Sequence, residues 1–254
     1  MVERVLYRDG LMLVLDKPAG LPVHPGPGGG ITVEDYLDAL RFGLRTRPHL
    51  AHRLDRDTSG CLVLGRHRKA LRRLGALFRQ GRVEKTYWAV VHGRPPQESG
   101  VIDLPLSKVS RDRRSWWMRP DPEGQPAVTA YRVLASDGEL SWVELRPRTG
   151  RTHQLRVHLA AIGCPIVGDP VYGRPEDRGT PTMLHARAVE IPLYPNRPPV
   201  RVEAPVPDHM RPPIERLRRA AAAAGRPVPP VDAHVEPGRE PVQDVADPQG
   251  REER

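Results

Sequence analysis

His52-Arg53-Leu54-Asp55-Arg56-Asp57-Thr58-Ser59-Gly60 runs directly into Cys61-Leu62-Val63-Leu64 and a second glycine, Gly65. The apolar run is short, β-branched at its centre and bounded by glycines, the pattern of a buried strand. The nine residues ahead of it form a polar loop that a core element holds in place, a common position for reactive groups. Asp55 has Arg53 and Arg56 within two residues, and guanidinium groups that near favour the ionised carboxylate. Such a carboxylate can serve as nucleophile, base or ion-pair partner, and spacing alone favours the structural pair.

The chain has 254 residues, enough for one sizeable core or two small lobes. Aromatic residues make up only 5% of it, so Leu, Val and Ala must fill the core. The net charge of +9 points to a polyanionic partner, nucleic acid first and an anionic membrane second. Of the 40 basic residues only Lys17, Lys69, Lys85 and Lys108 are lysine. Arginine suits phosphate and base stacking, although a GC-rich genome would also enrich it. Cys61 and Cys164 each sit in an apolar run and read as buried thiols rather than a disulfide or metal pair. No apolar run is long enough to span a membrane and no signal peptide opens the chain, so a cytoplasmic location is expected.

Outward from the signature, the N-terminal side predicts strands around Val5-Leu6-Tyr7 and Leu11 to Leu15, joined at Asp9-Gly10. Leu21 to Gly30 is an irregular loop without the Lys-Ser/Thr of a phosphate-binding P-loop. Thr32 is expected to cap a helix to about Leu40. On the C-terminal side, Leu71, Leu74, Leu77 and Phe78 give one apolar face to a basic helix between Arg66 and Arg82. A strand over Val83–Val91 places Tyr87 on one face, where packing is its ordinary role. Arg111 to Arg119 interleaves basic residues with Trp116 and Trp117. That pattern suits RNA, but a strand with its tryptophans packed inward is the preferred reading. Two strands, Val128–Leu134 and Leu140–Leu145, meet at Asp137-Gly138, and a helix follows with Thr152 as N-cap and Gly163 as its end. An arginine-rich helix start is repelled by the dipole, a cost easier to understand if the arginines meet an anion, either phosphate or Asp55. His153 and His158 have the wrong spacing for one helix face, and no acidic third ligand is near, so no metal is expected. After an arginine- and alanine-rich helix over Ile214–Gly225, residues 226–254 carry six prolines and no apolar periodicity. They are expected to form a disordered tail, and their net −3 leaves +12 on residues 1–225.

His-Arg-Leu-Asp-x-x-Thr-Ser-Gly resembles the signature of the RluA-type pseudouridine synthases. Further blocks follow in the family's order: Lys17 to Pro25, Lys85-x-Tyr87, Gly150 to Gly173 and Met183 to Ala186. The resemblance covers roughly residues 5–210 and implies an α+β pseudouridine synthase fold. A large, mostly antiparallel mixed sheet would carry flanking helices and a central basic cleft. The catalytic domain would occupy residues 1–225, with no S4-type RNA-binding domain ahead of it. The implied reaction isomerises uridine in tRNA or large-subunit rRNA, with no cofactor or metal and with a monomeric enzyme. By the same resemblance Asp55 is the catalytic carboxylate, paired with Arg156. Tyr87 packs on the target base and is a candidate late proton acceptor. Leu184 lines the pocket opposite, and Arg53 fills the space left by the flipped base. A non-catalytic RNA-binding protein on this scaffold would need Asp55 or Tyr87 replaced. A metal-dependent nuclease would need converging carboxylates, which the sequence lacks. Arg156→Ala is expected to lower activity without unfolding the protein.

Overall fold

The structure is a computed structural model describing residues 1–26, 28–109 and 117–231. The strands are β1 (Val5–Arg8), β2 (Met12–Lys17), β3 (His49–Leu50), β4 (Ser59–Gly65), β5 (Glu84–His92), β6 (Ser99–Asp103), β7 (Leu106–Lys108), β8 (Met118–Pro120), β9 (Val128–Ser136), β10 (Leu140–Pro147), β11 (Leu184–Ile191) and β12 (Val200–Glu203). The helices are α1 (Arg68–Arg79), α2 (Gln154–Ala161) and α3 (Arg211–Ala223), with a 3-10 helix over Val33–Leu40. Ten strands form one sheet in the order β1-β2-β4-β11-β5-β10-β9-β6, with β12 beside β11 and β3 beside β4. Every pairing is antiparallel except β4 with β11, so the sheet is mixed and mostly antiparallel. Strands β7 and β8 form a separate ribbon.

Side chains alternate across this sheet with the two-residue period of a strand. On β2, Met12 and Val14 pack with Leu74 and Leu77 of α1, whereas Leu13 and Leu15 pack with Val33, Leu37 and Leu40. On β5, Trp88 and Val90 pack with Ile214 and Leu217 of α3, whereas Ala89 and Val91 pack with Leu155 and Leu159 of α2. Both faces are therefore covered, and each of the fully buried leucines contributes about 1.5–3 kcal/mol by leaving water. Tyr87 lies on the α2 side, between the two clusters on that face.

Local expectations met three departures. The residue that starts α2 is His153, not Thr152, and its backbone is left-handed at φ 53°. Trp117 is 56% exposed beside β8, so it does not pack inward. Its neighbour Trp116 and residues 110–115 lie outside the described residues. Finally, helix α3 buries Ile214, Leu217 and Ala221, and the chain beyond it packs Val228 and Val231 into the same cluster. Of the expected tail, Val228 and Val231 thus reach the core; residues 232–254 lie outside the described residues. Among the described residues, no helix is long and apolar enough to cross a membrane.

Candidate active site

Asp55 sits between β3 and β4, and each part of the signature around it has a structural task. The Thr58 N–H donates to the Asp55 carbonyl at 3.2 Å and closes the turn. His52 Nε2 accepts the Val63 N–H of β4 at 3.0 Å, and its ring stacks on Phe78 at 4.5 Å. Burial, then the charge of Lys85, pushes its pKa down to about 3, so the ring is neutral. Ser59 donates to Nδ1 of buried His185 at 2.8 Å, joining β4 to β11 where the sheet turns parallel. Gly60 has φ 103°, and a Cβ there would lie 2.3 Å from the Ala186 carbonyl oxygen, so only glycine fits.

Lys17 anchors the same loop from below. Its ammonium is fully buried and donates to the carbonyls of Pro18, Leu21 and Arg56 at 2.8, 2.8 and 2.9 Å. Burial lowers its pKa to about 8, with Asp57, Asp55 and Asp16 working the other way, so at neutral pH it stays mostly charged inside a cage of acceptors.

The guanidinium beside Asp55 comes from α2, not from the signature. Arg56 turns away to form a forked pair with Asp57 at 3.0 and 3.1 Å, which corrects the reading that it holds the Asp55 charge. Arg53 is exposed at the cleft. Arg156 projects from α2 with three nitrogens engaged. Nε and Nη2 grip Asp169 at 2.7 and 2.8 Å, and Nη1 reaches Asp55 Oδ2 at 3.3 Å. Burial opposes the Arg156 charge, but Asp169 and Asp55 outweigh it and hold the guanidinium above its ordinary value. Burial would likewise raise Asp169, yet the Arg156 fork and the backbone N–H groups of Tyr172 and Val171 bring it below the usual carboxylate range. Asp169 is therefore a fixed anion whose task is to aim Arg156.

An open cleft of ≈690 Å³ runs beside this pair, lined by Arg53, Asp55, Lys85, Tyr87, His153, Arg156 and Leu184 among others. Tyr87 and Lys85 share one face of β5, and Leu184 opens β11, opposite Ala89 of β5. Burial, then the Asp55 charge, pushes the Tyr87 phenol above its ordinary range, so it is neutral at physiological pH. All five residues singled out in the sequence, Arg53, Asp55, Tyr87, Arg156 and Leu184, meet in this one cleft. Three residues escaped it as functional positions: Asp169, Tyr172 and His153. Asp169 and Tyr172 stand in the long block as Gly-Asp-x-x-Tyr-Gly, but nothing in their spacing says that a carboxylate 13 residues downstream completes the arginine.

Comparison with known proteins agrees with this geometry. The family model described as RNA pseudouridylate synthase matches residues 11–161. An uncharacterized RNA pseudouridine synthase of Zymomonas mobilis is 47% identical over 209 residues, covering 82% of this chain and 95% of the relative. The ribosomal large subunit pseudouridine synthase C of Vibrio cholerae is 36% identical over 223 residues, 85% of this chain and 70% of the relative. Among solved structures, human RNA pseudouridylate synthase domain containing 4 aligns with a TM-score of 0.72 at 31% identity, covering 85% of this chain and 94% of that one. With matching blocks, sheet and cleft, the chain belongs to the RluA-type RNA pseudouridine synthases, isomerases that act on RNA.

Proposed function

We propose that Asp55 is the reacting carboxylate in the conversion of uridine to pseudouridine in large-subunit rRNA or tRNA. The observation that carries this is the 3.3 Å contact of Arg156 Nη1 with Asp55 Oδ2 inside a cleft that also holds Tyr87 and Leu184. The isomerisation breaks the N1–C1′ bond of uridine, forms a C5–C1′ bond, and moves a proton from C5 to N1. It consumes no oxidant, reductant or nucleotide. It does need a base taken out of its stack, an anionic side chain at the sugar–base junction, and a dry wall around both. Asp55 supplies the anion and Arg156 its counter-charge. Tyr87, held as a neutral phenol, supplies an aromatic floor rather than a phenolate base, with Leu184 as the wall opposite. Arg53, two residues from Asp55, would fill the stack left by the flipped nucleotide, and its exposure at the cleft supports this.

The Vibrio cholerae relative, named for the large ribosomal subunit, supports rRNA as the first substrate to examine. The excess of basic residues supports RNA of either kind. A cytoplasmic, monomeric enzyme completes the proposal. The test is to map pseudouridines in total RNA from a strain lacking the gene and from its parent. At least one uridine in rRNA or tRNA should be unmodified in the deletion and restored by the wild-type gene; identical maps would overturn the reading.

A further inference from the structure

His153 is the one residue of the cleft held in a backbone conformation that its side chain disfavours. It and Phe42 are the two non-glycine residues with positive φ among those described, and at φ 53° it starts α2 without capping it. A strained residue persists where its surroundings hold it, and such residues gather at functional sites. Here the surroundings are specific. Nδ1 lies 2.9 Å from the Tyr172 hydroxyl, and that oxygen already accepts the Met118 N–H at 2.8 Å. The pairing that satisfies both groups has the phenol donating to Nδ1, with the imidazole proton on Nε2. Nε2 faces Asp55 Oδ2 at 3.9 Å, the same oxygen that Arg156 contacts at 3.3 Å. The ring edge also meets Tyr172 at 5.6 Å, and the Arg156 guanidinium lies 5.2 Å over that tyrosine.

We propose that His153 is a positioning residue for the reaction: its Nε2–H, oriented by Tyr172, joins Arg156 in anchoring Oδ2 of Asp55 and so leaves Oδ1 as the oxygen that reacts. This rests on the reading of Asp55 given above. At 3.9 Å the contact is one of charge and dipole, longer than a hydrogen bond, and contacts of this kind tighten when a substrate closes the site. The ring is neutral at physiological pH. A second proton would have to sit on Nδ1, where it would displace the Tyr172 donor. Burial disfavours that cation first; Asp55 and Asp169 favour it, and Arg156 and Arg53 oppose it, so the ring titrates below its ordinary value.

Two measurements test this. In the free protein, nitrogen NMR reads the tautomer directly. Wild type should carry its proton on Nε2, and Tyr172→Phe should shift the ring toward a mixture; a wild-type ring protonated on Nδ1 overturns the proposal whatever the activity. For the reaction, RNA from the deletion strain, tritiated at uridine C5, is mixed with excess enzyme and the released tritium is timed. Glycine accepts the left-handed backbone, so His153→Gly should stay folded at the assay temperature, yet its single-turnover rate should fall about 10- to 100-fold, the scale of one hydrogen bond to a charge. Glutamine carries an amide N–H donor out to the position of Nε2. His153→Gln should therefore recover part of the rate that His153→Gly loses. An unchanged rate in His153→Gly, or a His153→Gln rate no higher than that of His153→Gly, contradicts the proposal. A wild-type enzyme that releases no tritium contradicts the assigned reaction instead, and the tautomer measurement still decides the role of His153.

Discussion

At the scale of single residues, the site is a chain of charges in which each member orients the next. Backbone N–H groups fix Asp169, Asp169 fixes two nitrogens of Arg156, and the third nitrogen meets Asp55. This arrangement changes what Arg156→Ala should do. Asp169 has no exposed side-chain surface, so deleting the guanidinium strands a buried carboxylate, a loss of about 3–5 kcal/mol. The expectation that Arg156→Ala spares stability is therefore revised: it should lower both the melting temperature and the rate. Arg156→Met with Asp169→Asn removes both charges. It should regain most of the lost stability, measured by urea unfolding, while pseudouridine formation stays depressed at least tenfold. Recovery of rate together with stability would reduce Arg156 to a structural residue. Asp55 and Arg156 were recognisable from sequence because each lies in a contiguous motif. Asp169 was not, because its function depends on a loop folding back across α2.

Among the elements, the meeting of β4 with β11 sets the loop that carries Asp55, and it depends on two neutral histidines. His52 accepts the Val63 N–H, and His185 accepts from Ser59 while its Nε2–H donates to the Ala204 carbonyl at 3.3 Å. Burial lowers both to about 3. In the unfolded chain each would bind a proton near pH 6.5. Between pH 6.5 and 3 the unfolded state therefore holds more protons than the folded one, and stability falls as the pH falls. Each histidine adds a slope of up to about 1.4 kcal/mol per pH unit in that window. Thermal melts from pH 7 to pH 4 should be nearly level down to about 6.5 and then drop, and the drop should be shallower in His185→Gln. A flat profile to pH 4 would show that these rings are not held neutral. Element positions themselves were largely legible, because alternation on β2, β5 and β9 and the 3.6-residue face of α1 are strong local signals. The start of α2 was not: the left-handed His153 is tied to Tyr172, 19 residues downstream, a contact that local propensity does not carry, and sequence alone pointed to Thr152.

For the whole molecule, a twisted sheet covered on both faces brings residues from positions 55, 87, 156 and 184 to one opening. The fold class followed from ordered blocks spread over most of the chain, whereas the ribbon of β7 and β8 and the exposure of Trp117 did not. Two-residue periodicity shows that a strand exists, not which surface it leaves in water. The basic excess favours RNA, while in the proposed reaction one carboxylate performs the chemistry. Binding and reaction should therefore separate cleanly, and Asp55→Asn makes the cut. The variant keeps the volume of the side chain and removes its charge. The most direct measurement is tritium release from C5-labelled RNA of the deletion strain by purified Asp55→Asn, beside its affinity for the same RNA. The account predicts RNA affinity within a few-fold of wild type and no detectable release; release at the wild-type rate would contradict it.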